Sequence, residues 1–306
     1  MKVLSPVRST KRVLSQEDMQ DGLLTVDKER EPGHYSLMVS TNSLFDLSGR
    51  NVLITGGGGA LGGAIGLGLS QAGAQVIIVD ISLENATKVA NRIKANGGLA
   101  YAFEGDLSKE SVVDDLFAKI DEIASLNILV NAISAPQNRS SPEVMPLKDW
   151  EKTLSYDLTS YFLTSRAAAQ RMIKAGKGGS IINFSSIAGA TALGRGSVAY
   201  GAAKAGIIQL TRDCSFEWAQ YGIRVNSILP CQFVNSTWEE YKKDPVRSKL
   251  VNRVTSGIPI GRMGNPEEMV GPVLFLASDA ASMVTGIAMP VDGGNLAMNP
   301  GASLDW

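Results

Sequence analysis

The chain has 306 residues, with 29 Lys and Arg against 30 Asp and Glu and a formal net charge of -1. That balance, with no basic stripe, argues against a nucleic-acid binder, and 44% hydrophobic against 19% charged residues excludes a disordered chain. The one histidine, His34, and the two cysteines, Cys214 and Cys231, leave no histidine triad, multi-histidine zinc site or disulfide framework, so no metal is expected.

Residues 1–45 are polar and weakly periodic and read as an N-terminal extension, partly disordered or draped on the surface. Lys2, Arg8, Lys11 and Arg12 precede the first acid, Glu17, so a transit peptide and a solvated tail both stand as readings. No run of about 18 apolar residues is present, so no membrane span is expected, and the reducing cytoplasm is the simplest compartment.

From residue 46 to 306 a regular rhythm predicts one domain. Strands are predicted at 52–54, 75–80, 99–103, 126–130, 179–184, 223–228 and 286–291. Helices are predicted between them, at 64–72, 84–96, 111–123, 150–175, 199–221 and 267–276. Within 84–96, Ala86, Val89, Ala90 and Ile93 recur at helical spacing, and Gly97 and Gly98 stop the helix. The strands are apolar without alternation, which means a sheet covered on both faces. The expectation is an α/β fold: a single Rossmann-type doubly wound domain, its seven-stranded parallel sheet flanked by helices on both faces. A polar, Trp-containing insertion at about 233–260 interrupts the rhythm at the carboxyl end of a strand. Ligand crevices open there, so it is expected to act as a substrate lid.

Thr55-Gly56-Gly57-Gly58-Gly59-Ala60-Leu61-Gly62-Gly63 follows the first strand and opens the first helix. Glycines there let backbone approach a pyrophosphate, and the helix N-terminus offers it free N–H groups. No Gly-Lys-Ser/Thr follows, which excludes a Walker A loop. Asp80 ends the second strand, where a carboxylate can accept from ribose hydroxyls and repel a 2′-phosphate, so NAD(H) is expected over NADP(H). A helix cap is the competing role for Asp80, and for Asp106 at the end of the third strand. Asn131 ends the fourth strand over the crevice. Tyr200 and Lys204 are four apart and share one helix face. An ammonium beside a phenol with an ordinary pKa near 10 would ease its ionisation. Ser186, just past the fifth strand, could hold a carbonyl or alkoxide oxygen.

Taken together, residues 47 to 294 resemble the short-chain dehydrogenase/reductase family. The resemblance rests on Thr55-Gly56 with Gly62, on Asp80, Asp106, Leu129-Val130-Asn131-Ala132, and on Ser186 with Tyr200-Gly201-Ala202-Ala203-Lys204. It continues through Arg224-Val225-Asn226-Ser227-Ile228-Leu229-Pro230, Pro259-Ile260-Gly261-Arg262-Met263-Gly264, Thr285-Gly286 and Val291-Asp292-Gly293-Gly294. The family would make Tyr200 the acid/base, Lys204 the holder of the nicotinamide ribose, and Ser186 the residue that positions the reacting oxygen. Hydride would pass between NAD(H) and a carbonyl or secondary-alcohol carbon. Gly56, Gly59, Leu61, Gly62, Asp80, Asp106, Leu107, Asn131, Ala132, Pro230 and Phe233 would join Tyr200 and Lys204 at the cofactor. Ser134, Gln137, Ala188, Arg195, Gln232 and Trp238 would face the substrate, a small carbonyl or alcohol.

Four positions depart from the family pattern. Ala60 replaces a glycine, Ile133-Ser134 replaces a glycine-bearing segment, and Cys231 follows Pro230 where glycine is usual. Asp157 stands where the family carries a catalytic Asn, so it is counted with the catalytic group; it could pair with Lys204 or tune the pH profile. Cys231 reads as a packed residue. Two alternatives therefore stay open: a catalytically silent NAD-binding scaffold, and a lyase or epimerase with tightly held NAD. Ala202, Ala203 and Ile207 suggest an apolar outer helix face, and the resemblance implies a homotetramer, with a dimer as fallback.

Overall fold

The computed structural model describes residues 41–298 apart from 135 and 137; the expected extension lies outside the described residues except for its last five positions. Residues Thr41–Leu44 turn as a short helix, α1. The strands are β1 (Asn51–Thr55), β2 (Gln75–Asp80), β3 (Ala100–Glu104), β4 (Ile128–Asn131), β5 (Gly179–Phe184), β6 (Ile223–Pro230) and β7 (Ala288–Val291). They form one sheet in the order β3-β2-β1-β4-β5-β6-β7, and every pairing is parallel.

Chain direction across the sheet reverses between β1 and β4. Loops leaving these two strands diverge to opposite faces and open a crevice at their carboxyl ends. The helices are α2 (Ala60–Gln71), α3 (Leu83–Ala95), α4 (Glu110–Asp121), α5 (Leu147–Leu154), α6 (Ser160–Ala175), α7 (Val198–Trp218), α8 (Ser236–Lys243), α9 (Ser248–Thr255) and α10 (Val270–Ala277).

Side chains alternate across the sheet. Ile54, Ile78 and Val130 point to one face and pack with Ile65 and Leu69 of α2 and Val273 and Leu276 of α10. Leu53, Ile77, Leu129 and Ile181 point to the other and pack with Phe117 and Ile120 of α4 and Ala168 and Met172 of α6. Each such buried side chain contributes about 1.5–3 kcal/mol, which is why the unbroken apolar strands settle at the centre of three layers.

Three differences from the sequence reading bear on the site. Helix α2 starts at Ala60, ahead of the expected start at 64, so Gly62 lies inside its first turn and packs against the glycine turn. A Cβ there would stand 2.6 Å from the Gly56 carbonyl oxygen. The expected helix at 150–175 is broken by a π-helical turn, Ser155–Thr159, between α5 and α6. One extra residue in the ladder shifts the helix face, and Asp157 becomes fully buried. Finally, Ala203 and Ile207 face inward and are fully buried. Of the three residues taken for an apolar outer face only Ala202 is exposed; the large exposed apolar side chains there are Val198 and Phe216 on α7 and Phe162 on α6.

The insertion over 233–260 folds as α8 and α9. Val251, Val254, Ile258 and Met263 make a small core of their own, covered by Trp238, Tyr241 and Cys231. Its edge is tied to the domain by a bridge between Phe233 and Gly264.

Candidate active site

A cavity of about 670 Å³ runs along the carboxyl ends of the strands, within the roughly 300–1,000 Å³ usual for small-molecule sites. One end is the glycine turn. Gly56 sits at φ +66°, and a Cβ on it would lie 2.7 Å from the Ala132 carbonyl oxygen, so backbone from β1 and β4 meets there with no side chain between. Gly56, Gly59, Ala60, Leu61 and Gly62 line the wall, so the N-terminal turn of α2 faces the cavity. Free N–H groups at such a turn carry about half a positive charge and suit a pyrophosphate.

Asp80 lines the same wall. Its Oδ2 accepts from the Gly58 N–H at 3.0 Å and its Oδ1 from the Ser82 N–H at 3.0 Å. The cap of α3 is Ser82, which accepts from the Asn85 N–H. Asp80 is thereby freed from capping and fixed beside the glycine turn. Asp106 lines the wall too and does not cap α4: Oδ1 accepts from the backbone and hydroxyl of Ser108, and Oδ2 accepts from the Tyr156 hydroxyl at 3.3 Å. Leu107, Ala132, Pro230 and Phe233 also line the cavity.

Asn131 does not line it. Its side chain is fully buried, accepting from Thr55 at 3.1 Å and donating to Ser165 at 3.1 Å and Asn183 at 3.0 Å. It locks β1, β4 and β5 to α6 beneath the cavity floor, which corrects the expectation of a direct cofactor contact.

The other end holds the reactive groups. Tyr200 and Lys204 rise from α7, Ser186 from the turn after β5, and Ser134 from the segment after β4; all four line the cavity. Ser186 and Ser134 hydrogen-bond with the Tyr200 phenol and favour its ionisation, but burial outweighs them and, with the charge of Asp157, pushes the phenol up to about 12. Ser186 Oγ is oriented by the Ala188 N–H at 3.1 Å.

Lys204 reaches the cavity wall with almost no exposed surface. Its Nζ donates to the Phe184 carbonyl at 3.1 Å and the Tyr161 hydroxyl at 3.2 Å, and pairs with Asp157 Oδ1 at 3.2 Å. Burial lowers its pKa, and the Asp157 carboxylate opposes that. The ammonium lies between two tyrosine rings, 4.7 Å from the centroid of Tyr161 and 5.6 Å from that of Tyr200. The two differ in what they can do: Tyr161 donates its proton to the Ile133 carbonyl at 2.7 Å and has no exposure, whereas the Tyr200 hydroxyl hydrogen-bonds with Ser186 and Ser134 at the cavity wall.

Tyr161 and Tyr156 escape the sequence reading. Only a helical phase that counts the π turn would have aimed Tyr161 at Lys204.

The remaining expected residues divide. Gln232 and Trp238 line the cavity with Ser134. Ala188 is buried and acts through Ser186. Arg195 lies on a turn at φ +62° between Gly194 and Gly196; it is not part of the wall but stands within electrostatic reach of Cys231, which is. Gln137 lies outside the described residues. Cys231 lines the cavity as a thiol whose pKa burial raises, so it stays protonated. Ala60 and Cys231 border the cavity without closing it.

Residues 58–295 match the family model described as enoyl-(acyl carrier protein) reductase. The chain is 34% identical over 259 residues to 2-dehydro-3-deoxy-D-gluconate 5-dehydrogenase of Escherichia coli, covering 83% of this chain and 98% of that one. It is also 34% identical over 259 residues to D-threitol dehydrogenase of Mycolicibacterium smegmatis, covering 82% and 94%. Among solved structures, a gluconate 5-dehydrogenase from Burkholderia cenocepacia in complex with NADP and tartrate superposes with a TM-score of 0.78, at 30% identity, over 85% of this chain and 100% of that one.

Proposed function

The chain belongs to the short-chain dehydrogenase/reductase superfamily and is an NAD(P)(H)-dependent oxidoreductase acting on CH–OH groups; from that premise we propose that Tyr200 is its acid/base, with Ser186 and Ser134 beside it and Lys204 behind it. The observation that carries this is the meeting of those four groups in one cavity with the glycine turn and Asp80. The nicotinamide, when bound, supplies or accepts the hydride. In reduction, Tyr200 gives its proton to the carbonyl oxygen as the carbonyl carbon is reduced. In oxidation, its phenolate takes the hydroxyl proton. Ser186 donates to the oxygen as charge develops on it.

Lys204 would touch the ribose beside Tyr200, and Asp157, out of reach of any ligand, would act through Lys204. Gly56, Gly59, Leu61 and Gly62 would cradle the pyrophosphate and Asp80 the adenosine ribose. The Asp80 carboxylate supports NAD(H) as the preferred cofactor. The relative bound to NADP supports the opposite preference, and a parallel titration with both decides between them. A mouth of Ser134, Gln232 and Asn235 beside Phe233 and Trp238 suits a compact polyhydroxylated substrate, a sugar acid or polyol, in keeping with the names of the relatives. Residues 46–306 would form the catalytic domain with a lid at 233–260, preceded by the extension. Exposed Phe216 and Phe162 support a homotetramer, and among the described residues no helix is long and apolar enough to cross a membrane.

The test is a screen of sugar acids and polyols, and their keto forms, with NAD(H) and NADP(H) in parallel. Tyr200→Phe should lower kcat by about 10²–10⁴-fold with cofactor affinity unchanged. Retained turnover would reject the assignment. Cofactor that co-purifies and stays unreduced through net turnover would favour the epimerase reading.

A further inference from the structure

Asp157 and Lys204 are 47 positions apart in sequence, yet their side chains meet at 3.2 Å with exposures of 0% and 2%. Lys204 is the only cation among the described residues that shares this enclosure. A buried lysine facing neutral partners would lend Tyr200 an uncompensated positive charge. Here a carboxylate sealed in beside it cancels that charge at close range. The π-helical turn at Ser155–Thr159 puts it there. Gly206 of α7 leaves room for this segment: a Cβ at that position would stand 3.0 Å from Leu158, next to Asp157.

Among the described residues, the elements around the pair supply nothing to restore the charge. From α6 comes the neutral Tyr161, and from the turns after β4 and β5 come the hydroxyls of Ser134 and Ser186. Strand β5 carries no charged residue, and the one on β6, Arg224, is held at the far end of the strand by the Ser278 and Val284 carbonyls. Lys152 and Tyr156 line the other stretch of the cavity, Tyr156 bonded to Asp106.

Resting on the assignment of Tyr200 as acid/base, we propose that Asp157 is a positioning residue that cancels the charge of Lys204 and holds Tyr200 in its neutral phenol form through the physiological pH range, so that this active site is set for carbonyl reduction. The high pKa of the Tyr200 phenol agrees in direction. In the reductive step, the carbonyl carbon accepts hydride from the reduced nicotinamide and its C=O π bond breaks. The oxygen then takes the Tyr200 proton, and solvent reprotonates the phenolate. The phenol is ready for this at neutral pH. Oxidation needs the rare phenolate, so its rate should follow the hydroxide concentration.

The experiment is the pH dependence of kcat/KM in both directions for the wild type, Asp157→Asn and Tyr200→Phe. Folding is checked by thermal melts, and Tyr200 ionisation by the tyrosinate difference spectrum of each protein against its Tyr200→Phe counterpart. For the wild type, oxidation should rise tenfold per pH unit from about 6 to about 9 without levelling, while reduction stays flat. Asp157→Asn keeps the shape and removes the charge. It should lower the tyrosinate midpoint and the oxidation break by about one unit or more, raising oxidation at pH 7 about tenfold.

A wild-type plateau below about pH 8 overturns the proposal, as does a midpoint that Asp157→Asn leaves in place. If Asp157→Asn does not fold, the wild-type profile and tyrosinate midpoint still decide. Retained activity in Tyr200→Phe instead overturns the acid/base assignment, so the two failures are distinct.

Discussion

Replacing Asp80 by Asn tests the charge at the cofactor end while keeping the side chain's shape. The carboxylate is half-buried and fixed by the Gly58 and Ser82 N–H groups, and an amide oxygen can still accept the bond from Gly58. What disappears is the negative charge, together with the acceptor for the Ser82 N–H. Two unit charges about 4 Å apart repel by about 4 kcal/mol at an effective dielectric near 20, and partial exposure and salt reduce that to about 1–2 kcal/mol. Affinity for NADPH should therefore rise about 5- to 30-fold. Affinity for NADH should fall several-fold, because a charged acceptor to the ribose diol becomes a neutral one. Titration of nicotinamide fluorescence at low and high salt measures both, and the gain for NADPH should shrink at high salt. The reasoning is refuted if the wild type binds NADPH as tightly as NADH and Asp80→Asn leaves their ratio unchanged.

Gly62→Ala forces a methyl to 2.6 Å from the Gly56 carbonyl and 2.7 Å from the Gly57 Cα; thermal unfolding should show a loss of about 1–3 kcal/mol, with weaker NADH binding. Asn131→Ala strips the buried partners from Thr55 and Asn183 and should cost about 1–3 kcal/mol of stability. A variant of normal stability that fails to bind NADH would instead make Asn131 a cofactor ligand. Trp238 stands edge-on to Tyr241, ring centroids 5.7 Å apart, in the insertion. Trp238→Ala should raise the substrate KM while the NADH Kd holds, and the reverse pattern would place the lid over the cofactor.

Much of this protein follows from sequence alone. Apolar strands without alternation require a sheet covered on both faces, and the glycine run after the first of them marks the nucleotide turn. Tyr200 and Lys204 share a helix face wherever α7 packs. Other features needed the assembled fold. Periodicity names the face of a side chain but not the partner it meets, so Asp80 could have capped a helix and Asn131 could have faced the crevice. Only tertiary packing gave the cap to Ser82 and drew Asn131 into the floor. The π turn has no periodic signature, and it alone turns Asp157 and Tyr161 onto Lys204. Their bonds join segments more than 40 residues apart in sequence, and such pairings arise from how the layers stack, which local pattern does not encode.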